Sequence, residues 1–143
     1  MRKSWARLLS DARGAPANAI VRVLVGLVFF SEGIQKFLLP DVLGVGRFTK
    51  IGIPLPQLSA PFVGFVEIVF GALLMVGLFT RLSAVLLLVD ISVAIATTKI
   101  PMLSAKGFWA TAHEARSDWS MLLGLVFLLV AGGGTRSLDA RRR

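Results

Sequence analysis

Four long apolar segments are the feature that most constrains what this chain can fold into. They run from about Asn18 to Leu39, Phe62 to Phe79, Leu82 to Thr98 and Trp119 to Gly132. A helix needs roughly 17–25 residues to cross the hydrocarbon core, so two segments qualify directly and two would use flanking residues. The segments lack the period-two alternation of transmembrane strands. The sequence therefore predicts an all-α integral membrane four-helix bundle.

The composition excludes several other classes of protein. Of 143 residues, 55% are hydrophobic and 17% are charged, whereas a soluble domain carries about 25% charged residues. The chain has no cysteine and one histidine, so we expect no thiolate or multi-histidine metal site and no intrinsic cofactor. The net charge of +8 comes mostly from the chain ends. Basic ends fit anionic lipid head groups, and we expect no nucleic-acid partner.

Basic residues also predict an orientation and three regions. Their concentration at both ends predicts that both termini are cytoplasmic. The regions are a basic cytoplasmic segment at 1–17, the domain of four transmembrane helices at 18–133 and a basic cytoplasmic tail at 134–143. The two-residue connection Thr80-Arg81 predicts a tight hairpin between the second and third segments.

The two outer connections differ in character. In the first, Val42, Val45, Phe48 and Ile51 recur at spacings of three. This pattern predicts a short amphipathic, interfacial helix on the outer membrane face. The second connection, residues 99–118, is interpreted as a polar loop with an aromatic anchor.

Ionisable residues inside the apolar segments are the strongest functional signal. The first segment contains Arg22, Glu32 and Lys36, the second Glu67 and the third Asp90. A charge at the centre of a membrane helix costs roughly 2.5–3.5 kcal/mol, so these groups are expected to face the bundle interior or to pair. The i, i+4 spacing predicts an ion pair between Glu32 and Lys36. Arg22 is expected to snorkel to the cytoplasmic interface.

Glycine and polar residues recur with these charges at helical spacing, which predicts three inward faces that close the bundle. The faces consist of Arg22, Gly26, Phe29, Gly33 and Lys36, then Gly64, Glu67 and Gly71, and then Ser83, Asp90 and Thr97. Leucine, valine and phenylalanine side chains are expected to face lipid.

A proton-coupled ligand site in the outer half of the bundle is the main functional hypothesis. Three carboxyl groups against one lysine leave excess negative charge in a medium of low dielectric, so one carboxyl group should hold a proton. Glu67 and Asp90 are the candidate catalytic acids. The candidate ligand-binding residues are Glu32, Lys36, Phe29, Gly33, Gly71, Thr97 and His113.

Other interpretations of the same residues remain open. The charges could simply lock the helices together, or three carboxylates could hold a metal ion, although nothing fixes the ligand geometry. His113 could be a solvated loop residue or a proton donor near the outer surface. Phenylalanine side chains in the first two segments could be packing residues, or they could accept a flat ring such as a quinone.

Several motifs, in the right order, carry a resemblance to a known family. They are RVLVGLVFFSEGIQK at 22–36, IGIPLP at 51–56, a long stretch at 65–97 that includes Glu67, Gly71, Gly77 and Arg81, and the ending GGGTRSLDA. The chain resembles the DoxX family of small bacterial membrane proteins over about residues 20–140. The resemblance implies a four-helix protein of the bacterial cytoplasmic (inner) membrane. It also implies a link to quinone-dependent oxidoreductases, because related chains are similar to thiosulfate:quinone oxidoreductase subunits.

The predicted function is a quinone-linked redox accessory or anchor subunit that binds a small hydrophobic ligand. Its expected partners are membrane lipids, a quinone, and a protein partner or further copies of itself. In that hypothesis Glu67 and Asp90 exchange protons while Lys36 and Glu32 polarise the ligand. Two alternatives are a non-catalytic scaffold or assembly factor and a small proton-coupled transporter.

Overall fold

The computed structural model describes residues 16–142, which form helices and contain no strand. In chain order the helices are α1 (Asn18–Leu38), α2 (Val45–Lys50), α3 (Pro56–Val76), α4 (Thr80–Lys106), α5 (Phe108–Glu114), α6 (Arg116–Ala131) and α7 (Leu138–Arg141). The predicted all-α class is confirmed. The residues in 1–15, most of the predicted N-terminal segment, lie outside the described part.

The four long helices form a ring. Helix α1 packs against α3 and α6, and α4 packs against the same two helices, so α1 and α4 occupy opposite corners. Apolar side chains fill the centre of the ring: Val25, Phe29, Leu74, Ala84, Leu87, Ile91, Met121, Leu125 and Leu128. Large apolar residues such as Leu24, Phe65 and Leu123 are exposed on the outside, which suits a bundle surrounded by lipid.

Two of these helices, α3 and α4, are long and apolar enough to cross a membrane. Helix α1 has 21 residues and carries three charged side chains, and α6 has 16 residues. Crossing of the bilayer by all four helices therefore stays a prediction.

Two reciprocal glycine contacts bring α1 and α3 together. A Cβ atom on Gly26 would lie 2.6 Å from the carbonyl oxygen of Gly71, and one on Gly33 would lie 2.6 Å from that of Gly64. The pairs run in opposite directions along the two helices, so the helices are antiparallel. The predicted inward glycine faces are confirmed, because all four glycines are buried.

Arg22 corrects one expectation. Its side chain is 2% exposed, and it does not snorkel to the interface. The guanidinium donates to the carbonyl oxygens of Leu74 and Met75 at 3.4 and 3.3 Å, and to that of Arg136 at 3.0 Å. The last turn of a helix has carbonyl groups without intrahelical donors, and a cation there is favourable. Arg22 therefore caps α3 from within the bundle.

The segment after α6 also closes this end of the bundle, which we call the closed end (Arg22, Gly77, Thr80 and Asp139). The Asp139 carboxylate accepts hydrogen bonds from the backbone N–H groups of Phe79 and Thr80 at 2.8 and 2.9 Å. It thereby caps the first turn of α4. Residues 134–142 thus include a segment that packs onto the α3–α4 turn.

The connections between the helices differ from the predicted ones in two places. The hairpin turn comprises residues 77–79 rather than Thr80-Arg81, because α4 already begins at Thr80. Arg81 lies in α4 and donates to the carbonyl oxygen of Val130 at 3.4 Å. The expected polar loop at 99–118 is largely helical: α4 continues to Lys106, and α5 and the start of α6 fill the remainder.

Candidate functional site

A cavity of about 290 Å³ opens at the other end of the bundle, where α1 ends and α6 begins. Side chains from α1, α2, α3, α4 and α6 line it. The volume is close to the lower limit of the roughly 300–1,000 Å³ typical of small-molecule pockets.

An ion pair between α1 and α3 lies in the cavity wall. Lys36 Nζ is 2.6 Å from Glu67 Oε2, and the two side chains are only 11% and 6% exposed. The predicted ion pair between Lys36 and Glu32 is therefore wrong. The lysine is one turn beyond the Gly33–Gly64 contact, and this close approach of the backbones lets it reach across to α3.

A second acid joins this pair from the opposite corner of the ring. Asp90 on α4 lines the same cavity, with its carboxyl group beside Glu67 and Lys36. The three side chains, which we call the charged cluster (Lys36, Glu67 and Asp90), come from three different helices. The sequence predicts that Glu32 joins these residues as a third acid; in the structure Glu32 borders the same cavity but makes no ion pair with Lys36.

Apolar side chains form much of the remaining wall. Phe29 and Phe48 are 3% and 7% exposed, and Ile91 and Met121 are 8% and 7% exposed. Such walls favour the apolar part of a ligand, while the charged cluster favours hydrogen-bond acceptors or donors.

Helix α2 covers the cavity. The predicted short helix exists, but its buried aromatic residue, Phe48, lines the cavity. Gly44 precedes the helix, and a Cβ atom there would lie 2.5 Å from the carbonyl oxygen of Lys36. The glycine lets the chain turn tightly over the end of α1. Arg47, exposed on α2, also lines the cavity and had no assigned role in the sequence analysis.

A second ion pair is close to the cavity opening. Lys99 Nζ on α4 is 3.4 Å from Asp118 Oδ2 on α6, and Asp118 and the neighbouring Ser117 line the cavity. Sequence reasoning placed these residues in or beside a polar loop. Asp118 directly precedes the last apolar segment. An acid at that position is at the membrane boundary of its helix, and this pattern indicates a candidate for the cavity opening.

The predicted ligand-binding residues separate into three groups. Those that line the cavity are Phe29, Glu32, Lys36 and Thr97, together with the candidate acids Glu67 and Asp90. Gly33 and Gly71 are instead buried in the contact between α1 and α3. His113 is exposed on α5 and does not line the cavity. Within residues 16–142, no group of three histidine or acidic side chains is arranged to hold a metal ion.

Comparison with known proteins places the chain in a family. The family profile named DoxX matches residues 17–100. The chain belongs to the DoxX family. This DoxX protein is accordingly a membrane protein, in agreement with its apolar exterior. No solved structure matches the chain.

Three curated relatives match this DoxX protein over most of their length. "Uncharacterized membrane protein Rv3486" from Mycobacterium tuberculosis is 54% identical and covers 96% of this chain and 88% of its own. "Putative oxidoreductase CatD" from Bacillus subtilis is 30% identical, with 84% and 82% covered. An "Uncharacterized protein" from Haemophilus influenzae is also 30% identical, with 85% and 87% covered.

Proposed function

We propose that this DoxX protein is a quinone-binding accessory subunit of a membrane oxidoreductase, with its ligand site in the cavity. The observation that carries the proposal is the charged cluster of Lys36, Glu67 and Asp90 beside apolar aromatic walls. The oxidoreductase name of the Bacillus subtilis relative supports the reaction class. We place the protein in the bacterial cytoplasmic membrane with both termini cytoplasmic, on the basis of its basic chain ends.

The cavity residues fit a ring that carries carbonyl oxygens. Phe29 and Phe48 offer apolar ring faces, against which a flat ring can stack. The Lys36 ammonium has three N–H donors and uses one for Glu67, so it can also donate to a carbonyl oxygen. A bound quinone would supply two-electron, two-proton chemistry.

The two acids can hold and move the protons. Lys36 neutralises only one of the carboxylates, and a second uncompensated negative charge in this apolar site is costly. One carboxyl group of the charged cluster therefore holds a proton in the resting protein. Glu67 or Asp90 can donate that proton to an oxygen atom bound at Lys36 and regain one from the cavity opening.

Electrons must come from another component. Quinone reduction consumes two electrons as well as two protons, and this chain has no cysteine that could act as a thiol donor. A partner protein with its own redox group would supply the electrons. The role of this chain is then to bind the quinone and to deliver protons.

Equilibrium binding to the purified full chain in lipid nanodiscs tests the proposal. The probe is a short-tailed naphthoquinone, and the control ligand is the naphthalene with the same tail but no carbonyl oxygens. We expect the naphthoquinone to bind at least about tenfold more tightly, because a hydrogen bond to a charged donor contributes about 1.5–3 kcal/mol. Equal binding of the two compounds would contradict the proposal and favour a scaffold.

Variants of the charged cluster extend this test. Lys36→Met combined with Glu67→Gln removes both charges of the ion pair together, and it should abolish the preference for the naphthoquinone. Asp90→Asn should retain binding but slow proton uptake during turnover with an electron donor. Glu114→Gln is the matched control, because Glu114 is an exposed acid that does not line the cavity. Wild-type binding and turnover in Glu67→Gln and Asp90→Asn would refute the assignment of the acids.

A further inference from the structure

The outward surface of α1 carries a polar patch, which we define as Ser31, Glu32 and Gln35. Ser31 and Glu32 are exposed and Gln35 is partly exposed. The Gln35 side-chain amide donates to the Ser31 hydroxyl at 2.9 Å, as expected for residues four apart on one helix face. This group is separate from the charged cluster, although Glu32 also borders the cavity.

The polar patch lies within an otherwise apolar surface. Towards the start of α1, Leu24 and Leu27 are 57% and 54% exposed, and towards its end Phe37 and Leu38 are 50% and 71% exposed. Polar groups that face lipid are costly unless another polar group covers them. The apolar bands on both sides therefore indicate that something other than lipid covers the patch.

The described part of the chain, residues 16–142, does not compensate Glu32. Among residues 16–142, no cation lies within salt-bridge distance of its carboxylate, since the neighbouring Lys36 pairs with Glu67. After the bond between Gln35 and Ser31, the patch retains two donors, the second amide N–H of Gln35 and the Ser31 O–H. It retains acceptors in the Glu32 carboxylate and the Gln35 amide oxygen.

We propose that the polar patch is an interface for a second copy of this chain. A two-fold axis along the membrane normal would bring two identical patches together, so that Ser31 and Gln35 of each copy donate to Glu32 of the other. Donors and acceptors in one patch make it self-complementary, as a two-fold interface requires. Polar side chains that bond between helices are a common source of helix association in membranes.

Disulfide cross-linking tests this interface, because the natural chain has no cysteine. Ser31→Cys in the full chain introduces a single thiol at the proposed two-fold axis, where the two Cα atoms would lie within the ~7 Å that a disulfide requires. Val89→Cys is the matched control, at a 59% exposed position on α4. Under mild oxidation in membranes we expect at least about tenfold more cross-linked dimer for Ser31→Cys than for Val89→Cys. This ratio corresponds to a tenfold difference in affinity between the two surfaces.

A second measurement follows the dimer without a cross-link. In lipid, Ser31→Ala combined with Gln35→Leu should raise the dissociation constant of the dimer by about tenfold, because inter-helix hydrogen bonds are lost. Glu32→Gln should retain the dimer, since an amide both donates and accepts. Ser31 and Gln35 do not line the cavity, so naphthoquinone binding should be unchanged in their double variant and the two proposals can fail separately.

Three results would overturn the second-copy proposal. They are equal cross-linking at positions 31 and 89, a wild-type chain that stays monomeric in lipid at every concentration, and a Ser31→Cys adduct in native membranes whose mass indicates a different protein.

Discussion

Arg22 is the residue whose structural role departs most from its position in the sequence. It lies one turn into an apolar segment and reaches three backbone carbonyl groups from two separate parts of the chain. The close approach depends on Gly77, where a Cβ atom would overlap with Arg22 Nη1. Gly77 also has a φ of 72°, a backbone conformation that side chains disfavour. The position of the Arg22 guanidinium therefore depends on the absence of a side chain at Gly77.

The Arg22→Lys substitution tests this role. A lysine ammonium retains the charge but cannot bond simultaneously to the end of α3 and to the carbonyl group of Arg136, because it lacks the planar fork of the guanidinium. We expect the free energy of unfolding in detergent to fall by about 2 kcal/mol, the value of a hydrogen bond to a charged group. Arg141→Lys, at an exposed position, is the control. Equal stability of the two variants would show that the carbonyl contacts contribute nothing.

The partner of Lys36 illustrates what residue spacing can and cannot predict. Burial of Phe29 and Glu67 follows from helical periodicity combined with the cost of exposing charge to lipid. The choice between Glu32 and Glu67 does not, because it depends on how closely α1 and α3 pack. Glu67 is 31 positions away in sequence and is nevertheless the partner.

At the scale of elements, the contact between α1 and α3 fixes the geometry of the site. Gly26 and Gly33 lie two turns apart on α1, and each meets a backbone oxygen of α3. Any side chain at these positions would separate the helices and move Lys36 away from Glu67. The glycines thus act on the charged cluster without touching it.

Gly26→Ala is predicted to destabilise the bundle. Its Cβ atom would lie 2.6 Å from the backbone oxygen of Gly71, and relief of such overpacking typically costs about 1–3 kcal/mol. Reversible unfolding in detergent measures the loss. Ala96→Leu adds a larger group at an exposed position on α4 and should be close to neutral. A neutral Gly26→Ala would mean that the two helices can separate without cost.

The helices themselves were predictable to different degrees. The first apolar segment matches α1 within one residue at its end, because glycine, proline and polar residues bound it clearly. The polar composition at 99–118 predicts a loop, whereas helices α4, α5 and α6 occupy most of this region. The α3–α4 turn precedes the predicted Thr80-Arg81, because Phe79 adopts a positive φ of 50°, which an aromatic residue rarely does.

At the scale of the whole molecule, long-range contacts at the closed end join three regions of the chain. Asn18 donates to the carbonyl oxygen of Gly132 at 3.2 Å, Arg22 binds the carbonyl oxygen of Arg136, and Asp139 caps α4. Basic composition predicted only a tail at 134–143. The acid and the serine within it, Asp139 and Ser137, carried the relevant signal, since both residue types cap helices.

Asp139→Asn tests the cap. The amide has one acceptor oxygen in place of two and no charge to interact with the N-terminus of α4, so stability should fall by about 1 kcal/mol. Thermal unfolding in detergent is the measurement, and Asp41→Asn, in an exposed loop at the other end, is the control. If both variants unfold like the wild type, the carboxylate does not stabilise the turn.

The cap on α4 has a consequence for synthesis of the protein. Thr80 receives its capping oxygen from a residue 59 positions later in the chain. During translation the α3–α4 turn is therefore synthesised well before its stabilising carboxylate. Insertion of α3 and α4 therefore relies on their own apolar surfaces. The cap on α4 forms only after the segment that contains Asp139 has been synthesised.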